Sequence, residues 1–81
     1  MTRDIIANLI DEGHELEFKF NGKRYSITYY KPNGKRVISF CEFYKEITDV
    51  DTFDDLMKVV RDGTTVEEML ESIPETDIDV F

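Results

Sequence analysis

The sequence holds one cysteine, Cys41, one histidine, His14, and no tryptophan. A single cysteine closes no internal disulfide, which agrees with a reducing compartment. One Cys and one His also fall short of any zinc-ligand spacing. Nucleophilic catalysis is reduced to a single pair, Cys41 with His14. No apolar run approaches the roughly 20 residues of a membrane span, and no signal-peptide apolar region follows Met1, so a cytoplasmic location is expected. Glycine is sparse, and Gly13, Gly22, Gly34 and Gly63 each fit a helix end or a turn, which leaves no glycine-rich phosphate loop. Basic residues are also in deficit. Ten Lys and Arg face eighteen Asp and Glu, a formal net charge of −8, and a chain of that sign is poorly suited to bind nucleic acid directly or an anionic membrane.

What is present fits one compact domain, because 81 residues are too few to divide between two cores. The charge is unevenly placed. Met1 to Lys45 carries eight basic and six acidic residues, a net of +2. From Glu46 onward only Lys58 and Arg61 oppose twelve acids, a net of −10. That asymmetry suggests either an acidic working surface or a solvated face that keeps a small protein soluble.

The apolar period divides the chain into elements. Ile5, Ile6, Leu9 and Ile10 share one helical face behind an N-cap at Thr2, which predicts a helix from Arg3 to Glu12 ended by Gly13. Leu16, Phe18 and Phe20 then alternate with Glu15, Glu17 and Lys19, as in a half-buried strand. Asn21-Gly22 is a two-residue hairpin signal, because a type I′ turn needs positive φ at both central positions. It sets Phe20 opposite Lys23, Phe18 opposite Tyr25 and Leu16 opposite Ile27 in a second strand from Lys23 to Tyr30.

Lys31-Pro32-Asn33-Gly34 is a second turn whose two cues conflict. Pro32 favours a three-residue loop that places Val37, Cys41 and Phe43 inward, whereas the apolar pattern favours a two-residue loop with Ile38 and Phe40 inward. The third strand, Arg36 to Tyr44, is apolar on both faces. Tyr30, Val37, Phe40 and Phe43 therefore compete for two faces, and a weak homodimer through the sheet is expected.

Phe53, Leu56, Met57 and Val60 predict a second helix from Thr52 or Phe53 to Asp62, ended by Gly63. Thr64 and Glu67 form a capping box for a third, with Val66, Met69, Leu70 and Ile73 as its stripe and Pro74 as its stop. The expected fold is α+β, a three-stranded antiparallel meander with helices in the order α-β-β-β-α-α. It occupies residues 1–74, followed by an acidic tail, 75–81.

Few residues carry chemistry. Cys41 and His14 are better accounted for as a small buried thiol and a strand-end imidazole than as a hydrolase pair. Glu15 and Glu17 share a face but have Lys19, Arg24 and Thr28 as neighbours, a cross-strand charge pattern. Asp49, Asp51, Asp54 and Asp55 lack the spacing of a calcium loop and fit helix capping. No cofactor or metal is expected.

The tail Glu75-Thr76-Asp77-Ile78-Asp79-Val80-Phe81 admits three readings: a frayed terminus, a short added strand, or a peptide ligand. In the last, Asp77, Ile78, Asp79, Val80 and Phe81 loosely resemble the acidic, Phe-terminated tail of bacterial single-stranded DNA-binding proteins, with Val80 where proline is usual. From Asp11-Glu12-Gly13 through Asn21-Gly22-Lys23 to the paired helices, the chain resembles small acidic proteins of Gram-positive bacteria, their prophages and mobile elements. Its element order also resembles type II anti-CRISPR proteins, and that resemblance implies a DNA-mimicking inhibitor. Asp49, Asp51, Asp54, Asp55, Glu67, Glu68 and Glu71 would then be the phosphate-like array. The expected function is a non-enzymatic interaction module with a protein partner.

Self-repulsion in the acidic half predicts a melting temperature that rises as sodium chloride screens it. A melt unmoved by salt would show that basic groups of the sheet already neutralise those acids.

Overall fold

A computed structural model describes residues 1–43 and 45–81. The chain runs α1 (Arg3–Asp11), β1 (Leu16–Phe20), β2 (Lys23–Tyr30), β3 (Val37–Glu42), β4 (Ile47–Val50), α2 (Phe53–Lys58), β5 (Val60–Arg61), β6 (Thr64–Thr65), α3 (Val66–Ser72) and β7 (Asp79–Val80). The fold is α+β. Its main sheet is antiparallel in the order β4-β3-β2-β1-β7. The expected three-stranded meander is its centre, and the structure corrects it by adding a strand at each edge.

The first hairpin has the register its turn dictates, with Leu16 opposite Ile27 and Phe18 opposite Tyr25. In the second, the apolar pattern prevails: Tyr30 pairs Val37, Tyr29 pairs Ile38 and Ile27 pairs Phe40. Asn33 and Gly34 both have positive φ (57° and 79°), and the Lys35 amide donates to the Pro32 carbonyl at 3.3 Å. Asn33-Gly34 is thus the two-residue turn, and Pro32 precedes it instead of leading a longer loop. Phe40 is fully buried and Val37 only half so. The expected end of the third strand, Tyr44, lies outside the described residues.

β4, four residues long and containing Asp49, falls between the expected third strand and second helix, where no element is expected. Its Val50 pairs Ile38 and its Thr48 pairs Phe40, so the alternation of a half-buried strand is present in miniature. The second helix is shorter than expected. It stops at Lys58 because Asp62-Gly63 is a third turn with positive φ at both residues, 51° and 77°. It closes the β5–β6 hairpin, which pairs Val60 with Thr65 and Arg61 with Thr64. Because α3 begins at Val66, the N-cap is Thr65 and the capping box stands one residue further on than expected. The Glu68 amide donates to Thr65 Oγ1 at 3.1 Å and the Thr65 amide donates to Glu68 Oε1 at 3.2 Å. Thr2 stands at the α1 N-cap position, but its side chain makes no capping bond.

One core joins Ile6 and Ile10 of α1, Leu56 and Met57 of α2, and Val66, Met69 and Leu70 of α3 to the inward residues of the sheet. Two polar contacts from the second hairpin hold the end of α1 and the turn that follows it. Tyr29 Oη donates to the His14 carbonyl at 2.7 Å, and burial pushes this phenol up to about 12, so it stays a donor. Arg36 lies 4.9 Å from the Tyr29 ring and donates to the Ile10 carbonyl at 3.0 Å, near the end of α1.

The register yields a direct test. Ile38→Ala should lower unfolding free energy by about 2–5 kcal/mol, and Val37→Ala by less than about 1 kcal/mol. Equal losses in urea denaturation would contradict the second hairpin's register.

Candidate functional site

All four arginines lie over aromatic rings: Arg3 5.0 Å from the Phe53 centroid, Arg24 5.5 Å from Phe43, Arg36 4.9 Å from Tyr29 and Arg61 5.5 Å from Phe40. A guanidinium suits this use because it is planar and weakly hydrated. Arg3 does more. Its Nη1 donates to both Glu67 carboxylate oxygens at 2.6 and 2.8 Å, and its Nη2 donates to Asp54 Oδ1 at 2.7 Å. One side chain of α1 thereby clamps the N-terminal turns of α2 and α3. Of the lysines, Lys23 pairs Asp62 between two hairpin turns, Lys45 pairs Glu42 at 3.5 Å and Lys35 approaches Asp51 at 3.9 Å. The Lys23–Asp62 contact pulls the carboxyl down and the ammonium up, through the hydrogen bond first in both cases.

The clamp borders an open depression of about 570 Å³ lined by Arg3, Asp54, Met57, Lys58, Thr65, Glu67, Glu68 and Glu71. Four of the seven acids expected to act together meet there: Asp54, Glu67, Glu68 and Glu71. Against them stand Arg3 and Lys58, a local net of −2. Asp55 is exposed in the first turn of α2. The other two are elsewhere. Asp49 lies on β4 and accepts a hydrogen bond from Tyr30 Oη, and Asp51 faces Lys35. The array is therefore a group of four with an outlying fifth, and its members differ in freedom. Asp54 and Glu67 hold Arg3, whereas Glu68 caps α3.

The tail is part of the fold. Ile78 is buried, Asp79–Val80 form β7 against β1, and the Phe81 amide donates to the Glu15 carbonyl at 2.9 Å. The added-strand reading describes it, and the frayed terminus is corrected: Ile78 and Val80 alternate with Asp77 and Asp79 because one side of β1 offers a partner. His14 places Nδ1 2.8 Å from the Phe81 carbonyl oxygen and Nε2 3.2 Å from Glu12. Cys41 lies across β2 from β1, opposite Ser26, which is itself opposite Glu17. Two strand spacings, about 9.6 Å, and about 10 Å along the strand separate Cys41 from His14. The Cys41 thiol donates to the Glu42 carbonyl at 3.0 Å, so the two do not form a nucleophile–base pair.

Arg3, Lys58, Met57 and Thr65 belong to the depression, and sequence reasoning did not place them there. Arg3 is 51 and 64 residues from its two partners, and no local pattern announces a pairing that distant. No protein-family model matches the chain, and neither a curated protein nor a solved structure is significantly similar to it.

The capping carboxylate gives a pH dependence. Hydrogen bonds from the Thr65 amide and hydroxyl hold Glu68 below its ordinary value of 4.5. A depressed folded value means that its stabilisation is complete above pH 4.5 and is lost as pH falls through the lower folded value. Glu68→Gln should flatten the acid limb of stability against pH. An acid limb unchanged from the wild type would contradict the cap's role.

Proposed function

We propose that the protein is a non-enzymatic interaction module of bacterial or phage type, acting in the cytoplasm, whose α2–α3 face docks a basic surface of a partner protein. The observation that carries this reading is the division of charge. The arginines are committed to rings, and Arg3 also to two carboxylates, while Asp55 and Glu71 stay exposed beside Asp54, Glu67 and Glu68. Met57 lines the same depression but is itself buried in the core, so the carboxylates are what this face offers a partner. Among the described residues no helix is long and apolar enough to cross a membrane. The resemblance to small acidic proteins of Gram-positive bacteria and prophages supplies the biological setting. The separation of His14 from Cys41 weighs against a hydrolase.

A DNA-mimicking inhibitor is the second reading, favoured by the net −10 after Glu46. It asks for a longer array of carboxylates, and Asp49 and Asp51 stand apart from the helical group.

Titrating the ¹⁵N-labelled chain with an oligoarginine peptide should perturb amides of α2 and α3 first. Binding should weaken by about tenfold or more between low and high salt, and in the double variant Asp55→Lys, Glu71→Lys. Perturbations spread evenly over the surface, or indifferent to charge reversal, would refute the assignment. For a captured partner, displacement by duplex DNA marks a mimic, and indifference to DNA marks a protein-docking module.

A further inference from the structure

The β1 edge is covered by a short strand that is poorly matched to it in charge. β7 pairs β1 only at Leu16–Val80 and Glu17–Asp79, and the Phe81 amide adds one bond to Glu15. Beyond Glu17, Phe18–Phe20 has no strand on that side among the described residues, because the chain leaves in a 3₁₀ turn, Glu75–Asp77, after Pro74. Glu17 and Asp79 are directly opposite each other, and like charges so placed are destabilising. Ile78 anchors the segment in the core, while Val80 is 44% and Phe81 63% exposed. On the outer sheet face, Phe81 completes a cleft of about 170 Å³ with Glu15, Glu17 and Thr28. Two carboxylates and an aromatic ring suit a protonated side chain, yet β7 supplies an aspartate beside it.

We propose that the β1 edge is a docking site for an extended segment of a partner protein with a Lys or Arg in place of Asp79 between two apolar residues, and that β7 is the chain's own displaceable occupant. The incoming segment adds a strand by main-chain hydrogen bonds. Its first apolar residue replaces Ile78, its cation meets Glu17 and Glu15, and an aromatic residue at the position of Phe81 rebuilds the cleft. This site is distinct from the helical depression, so the two stand or fall separately.

The probe is a synthetic peptide of residues 75–81 carrying Asp79→Lys, compared with the unchanged peptide. Both are titrated into the full ¹⁵N-labelled chain up to millimolar concentration, because the tethered strand competes at an effective concentration of about that size. The lysine peptide should bind about tenfold more tightly, shift amides from Glu15 to Phe20, and move those of Asp79–Phe81 to positions of a released segment. Equal affinities, no binding by either peptide, or shifts confined to α2 and α3 would overturn the proposal. In the full chain, Asp79→Lys should raise the melting temperature at low salt, and the gain should vanish when Glu17→Gln is added. A melting temperature unchanged or lowered by Asp79→Lys would also overturn it.

Discussion

The stack of Phe18, Tyr25 and Phe40 across three strands is the contact on which the rest of the structure depends. Its ring centroids are 5.6 Å apart between Phe18 and Tyr25 and 5.3 Å apart between Tyr25 and Phe40. The rings meet only if both hairpins hold their registers, since a slip of one residue turns a strand's whole apolar set to solvent. Two Asn-Gly turns therefore act at long range. They set which residues face α1, α2 and α3, and so where the helices stand.

The same packing decides where charge is left over. Arg61 reaches the Phe40 ring and donates to Thr48 Oγ1, Arg36 spans from Tyr29 to α1, and Arg3 ties α1 to α2 and α3 over Phe53. A guanidinium used to join elements has little left for a partner. The acids carry fewer such duties: Glu68 caps a helix and Asp54 and Glu67 hold Arg3, but Asp55 and Glu71 remain at the surface. Which charges remain unengaged at the surface is thus a consequence of construction as well as of composition.

How much of this was legible in the sequence follows from the range of each interaction. The first hairpin, the stripe of α3 and the sign of the C-terminal half are local patterns legible in the sequence, and of the α1 stripe Ile6 and Ile10 are buried while Ile5 is exposed. Asp62-Gly63 carries the same turn signal as Asn21-Gly22, but it was read as a helix end because the hairpin it closes has only two residues on each side. β4 is too short for alternation to stand out, whereas the alternation of Ile78 and Val80 offers an added strand as one of three readings of the tail. The clamp of Arg3 on Asp54 and Glu67 has no sequence signature, because three separate helices must first be placed by the sheet. Of the expected acidic array, Asp54, Glu67, Glu68 and Glu71 line one depression, while Asp49 follows β4 away from them.

The edges of the sheet join these points. Proteins commonly guard an edge strand with lysine, but here β4 carries Asp49 and β7 carries Asp79. A carboxylate repels a second copy of an acidic chain as effectively as lysine repels a basic one, so self-pairing along either edge is opposed by the same excess of acid that marks the whole molecule. That protection is selective. Asp79 opposes an approaching acidic strand while β7 is in place, and once β7 is displaced Glu15 and Glu17 of the exposed edge set the same preference for a basic segment. For the weak homodimer expected through the sheet, the outer face is then the surface without that penalty at its centre, where Ser26, Thr28, Ser39 and Cys41 present small uncharged side chains beside Ile47.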